Sequence, residues 1–591
     1  MNRTILSLLS ISISAACYAT TSFEHYNQTP TIDTVVELPN GSIANTAALN
    51  EMMPLVRLGA EITHTKVTEN VYFLGRDTYS PVIVETDEGL LVFGGLKIAD
   101  EGGEYRDYIR KHISDKPIIA LFYDHSHYVG GAKTLLDGDD AMTIGHEDLN
   151  DVVAANTGDG MAVTAIPEMQ PHIAKRANIQ FGAVFPATGP DATSVPGLPM
   201  GNETAFVPVT HPVHDGMKMT VGGVDVVMYH AITDTEDTLT FYLPQFETVI
   251  DNVVWPHHNM YTLRGDNHRD PEDWNRALRQ IRDLNPKYVL CVGALTAKIQ
   301  GKENIRETIN AILDARSFVV DQSIRLTNLG LPADQIKNYV SLPQTLKDHP
   351  FVNNAYGQFD TFFEAIPTAN HGYFSGKPDH LHTLPRPVFA ENFIRMSGGE
   401  NAVYDELDRA MKAGEFLWAQ DLAMNLYYNA PSDQRARQAY ADVLRILGQH
   451  SEGFIARNFY IAGALSLEGS ELVTLSGTEN HEWVVDHTAD AVNHLRTRIN
   501  PSRSQGLNGV LIFDIDGARH SLELRNSIAE FTANTNLTGE VIELDSETFA
   551  DYYTGKVDAK SIATGNALKL LQAFDEAKTI PMFPYNWDHL K

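Results

Sequence analysis

Between residues 70 and 122 the chain alternates short β-branched and aromatic runs with turn residues. These runs are Asn70-Val71-Tyr72-Phe73-Leu74, Val82-Ile83-Val84-Glu85, Leu90-Leu91-Val92-Phe93 and Ile118-Ile119-Ala120-Leu121-Phe122, each bounded by Gly, Asp or Pro. A helix from about Gly103 to His112 joins the third run to the fourth, so the segment reads as α/β. Strands continue at Val224 to Tyr229, Leu239 to Leu243, Thr248 to Asp251 and Tyr288 to Val292, with helices beginning near Pro271 and Lys302. An α/β domain over 65–315 follows, preceded by an extension at 20–64. Residues 316–465 then read as helical. Val319, Ile324, Leu326, Ile336, Val340 and Leu342 recur at helical spacing, and three amphipathic helices between Tyr404 and Gly448 break at Gly414 and Pro431. The strand period returns over 466–591 at Val510 to Ile515, Ser521 to Leu524 and Ala529 to Thr532. Asp516-Gly517 is the hairpin turn there, and helices close a small α+β domain.

Charge narrows the partners. Lys+Arg 45 against Asp+Glu 76 leaves 45 − 76 = −31, which repels a phosphate backbone and argues against nucleic acid. Two cysteines exclude a disulfide framework and a thiolate metal cluster. Met1 to Ala19 reads as a secretory signal: Arg3 is its only charge, an apolar stretch starts at Ile5, and small residues stand at the cleavage spacing. Cleavage after Ala19 implies a periplasmic or secreted protein whose one cysteine is Cys291. Cys17 also occupies a lipoprotein-like position, although Ser14 stands where Leu is usual, so a lipid anchor is the alternative. Later apolar runs are too short to cross a bilayer, and no integral membrane segment is expected after cleavage.

Directly after the strand ending at Tyr123 comes Asp124-His125-Ser126-His127-Tyr128-Val129-Gly130-Gly131. Two histidines two apart, where a chain leaves its sheet, can present both imidazoles to one ion. Strand-strand-helix-strand leading to His-x-His and Gly-Gly resembles the metallo-β-lactamase fold, an αββα sandwich. Longer stretches resemble the alkyl sulfatase branch of that superfamily. They include Phe241-Tyr242-Leu243-Pro244, then Asn259-Met260-Tyr261-Thr262-Leu263-Arg264-Gly265, Asp321-Gln322-Ser323-Ile324-Arg325-Leu326, Gly372 to Pro378 and Arg457-Asn458-Phe459-Tyr460. The resemblance implies a metallo-β-lactamase-like domain, an all-α dimerisation domain that makes a homodimer, and a C-terminal domain similar to sterol carrier protein-2. It also implies hydrolysis of primary alkyl sulfates such as dodecyl sulfate with two zinc ions. Zinc suits that chemistry, since coordination lowers the pKa of water toward ~7.

The site departs from the family pattern, His-x-His-x-Asp-His followed by an aromatic residue and Gly-Gly. Only Tyr128 and Val129 separate His127 from Gly130, so the Asp-His half is missing; a gapless alignment instead keeps only His125. Family carboxylates fall on Asp234 and Thr238, a family Glu on Asp251, and a family His-His-Trp-Pro on Ala294 to Ala297. The expected metal ligands are therefore His125, His127, Asp251 and Asp234, which suffice for one zinc ion while a second has lost its ligands. The expected substrate contacts are Arg264, Asn259, His258 and Tyr261, with the Arg264 guanidinium suited to fork onto a sulfate. His257-His258 could supply a replacement ligand, and His230 is expected to hydrogen-bond Asp234. Two functions follow: a metal-dependent sulfate-ester hydrolase, or a catalytically inactive dimeric binding protein for an amphipathic or apolar ligand.

Overall fold

The computed structural model describes residues 35–584 except 53–60, 77–78, 156–165, 195–204, 257, 259, 261–262, 264–268, 294–296, 474–479 and 578–579. The proposed signal, residues 1–19, lies outside the described residues. The chain divides into two compact units: the first comprises Met1–Val163, Gln180–Ala430 and Asp442–Ile461, and the second Thr164–Ile179, Pro431–Ala441 and Ala462–Lys591.

In the first unit two sheets form in chain order. The seven-stranded sheet runs β1 (Thr63–Lys66), β2 (Val71–Gly75), β3 (Val82–Glu85), β4 (Leu90–Phe93), β5 (Ile118–Phe122), β6 (Met142–His146) and β7 (His211–Val213). Its pairs are antiparallel up to β4 and parallel thereafter. The crossover from β4 to β5 carries helix α1 (Ala99–His112), and α2 (Ala132–Leu136) packs on α1. The six-stranded sheet runs β8 (Lys218–Val221), β9 (Val224–His230), β10 (Leu239–Leu243), β11 (Thr248–Asp251), β12 (Tyr288–Cys291) and β13 (Ala297–Gln300), antiparallel except for β11 with β12.

Period-two alternation decides which layer each side chain joins. On β11 and β12, Ile250 and Leu290 face the other sheet, whereas Val249, Val289 and Cys291 face α3 (Pro271–Asp283) and α4 (Lys302–Asn328). Strands buried on both faces read as continuous apolar runs, as the sequence does here. Phe93 and Phe122 stack with ring centroids 4.4 Å apart, and Phe241 from the second sheet meets them edge-on at 5.3 and 5.5 Å. Burying a side chain of this size contributes roughly 2–3 kcal/mol. Helix, sheet, sheet and helix make the expected αββα sandwich.

Helix α4 runs unbroken through the expected boundary at 315/316. Its later turns pack Val319 and Leu326 against Phe359, Phe362, Phe363 and Ile366 of α5 (Phe359–His371). The helices α6 (Arg386–Met396), α7 (Glu400–Ala413) and α8 (Phe416–Asn429) follow, and Gly414 stops α7 in the left-handed conformation (φ 74°) that glycine adopts without strain.

The second unit contains a four-stranded sheet of β14 (Gly509–Ile515), β15 (Ala518–Arg525), β16 (Ile528–Thr532) and β17 (Glu540–Leu544), in the order β16-β15-β14-β17. Asp516 and Gly517 both take positive φ, 51° and 86°, as the expected tight hairpin requires. Leu511, Phe513, Leu522 and Leu524 are buried against Val492, Phe549 and Leu571 of the flanking helices, giving an α+β core. No helix among the described residues is long and apolar enough to cross a membrane.

Candidate metal centre

The two sheets meet at the end of β5. There the Leu239 N–H, at the start of β10, donates to the Asp124 carbonyl at 2.7 Å, fastening one sheet to the other. Gly131 permits the turn that follows: a Cβ on it would lie 2.8 Å from the Ile98 carbonyl and from Leu96 Cβ. The second glycine of the motif is thus a packing requirement at the turn that leads from His125 and His127 into α2.

His125, His127 and Asp234 each offer one ligand atom, and these atoms lie within 4.8 Å of one another. Asp234 Oδ2 is 2.9 Å from His127 Nδ1 and 3.4 Å from His125 Nε2, while Asp234 Oδ1 is ion-paired with Arg269 Nη2. On the far side of His125, Nδ1 donates to Asp124 Oδ2 at 2.6 Å, and Tyr79 Oη donates to Asp124 Oδ1. The Tyr79 ring stacks on Tyr128 with centroids 4.1 Å apart. This is the carboxylate–histidine arrangement that holds a metal-binding imidazole in one tautomer, with Nε2 turned to the ion. Trp255 Nε1 donates to Asn252 Oδ1 at 3.1 Å, which turns the Asn252 amide nitrogen toward His125 Nε2 at 3.3 Å.

Electrostatics reinforce the cluster. Burial pulls the His125 pKa down, but Asp124 and then Asp234 outweigh it and raise the pKa to about 10. Burial acts on Asp234 in the opposite sense, and Arg269, His127 and His125 overcome it, holding the carboxyl well below its usual range. A ligating imidazole must be neutral, so a cation here takes the place of the His125 Nε2 proton. The donor set of two imidazoles and one carboxylate fits a single divalent ion such as zinc, with a coordination position left open. No second group of three such side chains occurs among the described residues.

Other expected site residues lie elsewhere. Asp251 is outside the group: its Oδ1 accepts the Val253 and Val254 N–H groups at 2.7 Å, and its Oδ2 is buried without a partner among the described residues. Burial is the main cause that lifts its pKa to about 7. The C-terminal end of β11 points this carboxyl back into its own turn, and Asn252, the next residue, faces His125 instead. His258 is buried, with Nε2 3.1 Å from the Phe351 carbonyl and its ring on Phe359, so it packs between loops and α5. His230 donates to the Glu236 carbonyl at 2.7 Å and stacks on His146, while Asp234 turns to His127 and Arg269. His257, Asn259, Tyr261, Arg264 and 294–296 lie outside the described residues. Tyr79, Asn252 and Arg269 belong to the site but carry no local motif. Asp124 does have a signal, its position directly before His125.

Residues 332–470 match the alkyl sulfatase dimerisation family. A linear primary-alkylsulfatase of Pseudomonas sp. (strain ATCC 19151) is 27% identical over 473 residues, which cover 76% of this chain and 87% of that protein. Over most of its length the chain is similar to alkyl sulfatases. A second linear primary-alkylsulfatase, from Pseudomonas sp., is 27% identical over 424 residues, 68% of this chain and 60% of that longer relative's length. The alkyl sulfatase fold extends over nearly the whole molecule: the structure of the stereoselective inverting sec-alkylsulfatase Pisa1 from Pseudomonas sp. superposes with a TM-score of 0.65 at 20% identity, covering 97% of this chain and 96% of that one.

Proposed function

We propose that this protein is a zinc-dependent hydrolase of sulfate esters that acts on linear primary alkyl sulfates such as dodecyl sulfate. The observation that carries the proposal is the convergence of His125, His127 and Asp234 on one point, with Asp124 behind His125. One bound zinc supplies, at that point, the Lewis acidity that makes water a nucleophile at neutral pH. The chain's own residues do the rest. Asp124 and Tyr79 fix the His125 ring, Arg269 holds Asp234 in place, and the closely packed aromatic wall of Tyr79 and Tyr128 limits water around the cluster. A binding protein without hydrolysis has no use for this arrangement, which makes that reading the weaker one. Purified protein incubated with dodecyl sulfate is expected to release inorganic sulfate, to stop after chelation and to resume when zinc is returned. Zinc-loaded protein that releases none from any linear alkyl sulfate rules the enzyme reading out.

The reading includes export to the periplasm or medium, reception of the alkyl chain by a sterol carrier protein-2-like C-terminal domain, and assembly as a homodimer. Support for the dimer lies in the matched dimerisation segment, where Leu384 just before α6 and Phe389 and Met396 on α6 stand 56%, 46% and 78% exposed. Large apolar side chains left exposed in one short segment are candidates for an interaction surface. Light scattering is expected to give twice the chain mass for the parent and the monomer mass for Phe389→Glu; a monomeric parent removes the dimer.

A further inference from the structure

One residue of α4 contradicts its surroundings. Arg316 lies on the buried face with Ile309, Ile312 and Val319, and none of its surface is exposed. Its guanidinium carbon sits 4.0 Å from the Trp274 ring centroid. Nε, Nη1 and Nη2 all lack a hydrogen-bond partner among the described residues. Stacking on an indole satisfies the face of a guanidinium and leaves its five in-plane N–H donors unanswered. The group remains a cation: burial, then repulsion from Arg269, lowers its pKa only to about 9.

A buried charge with no counter-charge is strongly unfavourable, and Met or Leu would fill the same space without that cost. The charged group acting on Arg316 has the same sign. That group, Arg269, is ion-paired with Asp234 of the metal-binding cluster. Two guanidinium groups thus lie near enough to repel each other, one of them paired with the cluster, in a chain of net charge −31. An anion entering such a chain needs local cations of this kind, and the planar guanidinium fork matches a tetrahedral oxyanion.

We propose that Arg316 is an oxyanion-binding residue, whose buried guanidinium receives a sulfuryl group, as free sulfate or as the head of a sulfate ester, beside Arg269 and the His125–His127–Asp234 cluster. The choice of sulfuryl rests on the sulfate-ester reading above, whereas the buried cation without a partner among the described residues does not depend on it.

The test uses the full chain stripped of metal, so that binding is read without turnover. Thermal unfolding is followed with sodium sulfate, and separately with hexyl sulfate, against sodium chloride of equal ionic strength, for the parent, Arg316→Met and Arg316→Lys. In the parent, saturating sulfuryl ligand is expected to raise Tm by about 4 °C beyond the chloride control. Without ligand, Arg316→Met is expected to melt no lower than the parent, and it should lose the ligand-specific rise. A rise with hexyl sulfate alone assigns the site to the ester head; a rise with both salts assigns it to the sulfuryl group in either form. Sulfate also stabilises proteins generally through exclusion from their surfaces. An equal rise in the parent and in Arg316→Met therefore overturns the proposal. Should Arg316→Met fail to fold, Arg316→Lys decides by calorimetry: sulfate binding at least about tenfold weaker supports the site, and unchanged affinity overturns it. Sulfate binding without hydrolysis of any alkyl sulfate would end the enzyme reading and leave the anion site standing; hydrolysis with no Arg316-dependent binding would do the reverse.

Discussion

His127→Ala is expected to empty the protein of zinc and to slow sulfate release from dodecyl sulfate by about 1,000-fold or more, because the chemistry has no other source of Lewis acidity in the cluster. Three protein ligands are the minimum that a catalytic zinc normally keeps, so losing one leaves a site too weak to compete with buffer. His127 is the better of the two histidines to remove. Its side chain is 14% exposed and bonds only to Asp234 among the contacts that define the site, whereas His125 is fully buried between two carboxylates. Removing His125 also takes away the positive charge that separates Asp124 from Asp234, so its loss of function would be mixed with loss of stability. Elemental analysis and sulfate release are measured on the same preparation. Zinc retained at the parent's stoichiometry would remove His127 from the ligand set. Zinc lost with hydrolysis intact would refute metal dependence itself.

Much of this fold was legible because its central strands are buried on both faces. The runs at Val71, Val82, Leu90, Ile118, Leu239, Thr248 and Tyr288 all form strands, and the helices starting at Pro271 and Lys302 form where the period changes. Strands without a contiguous apolar run leave no such signal: Met142–His146 is buried, yet Thr143, Gly145 and His146 interrupt it, and others face water. Thr63–Lys66 and Lys218–Val221 pair at sheet edges and carry few apolar side chains, while His211–Val213 is only three residues long. The alternation of Ala297–Gln300, buried then exposed, could have been recognised as the edge strand it is. The site divides along the same line. His125 and His127 are adjacent in the motif, and Asp234 follows a strand end. Tyr79 reaches Asp124 across 45 residues and Asn252 reaches His125 across 127, and no local spacing reports contacts that only the pairing of two sheets creates. Asp251 was a reasonable expectation by position, yet two backbone N–H groups of its own turn capture the carboxylate first.

Asp234→Asn is expected to cost the metal-free protein about 3–5 kcal/mol at pH 7, a large part of the stability of an ordinary domain. The carboxylate is the hub on which Arg269, His127 and His125 converge, and all are substantially withdrawn from water. An amide of the same shape keeps the volume and removes the charge, so Arg269 loses this ion pair and His125 loses one of its two anionic neighbours. Breaking such a buried network costs more than the network contributes, since the remaining charges stay desolvated. In thermal unfolding the drop should be on the order of 10 °C. The sign of the pH dependence follows from the depressed Asp234 carboxyl. A group whose pKa is lower folded than unfolded stabilises the fold above its unfolded value, near 3.9, and that contribution disappears as pH falls through the folded value. The gap between parent and Asp234→Asn is therefore expected to hold from pH 7 down to about 5 and to close below about 4. A gap under about 2 °C at pH 7, or one that widens on acidification, would mean that Arg269 and the histidines are neutralised elsewhere and that Asp234 is a ligand without a structural role.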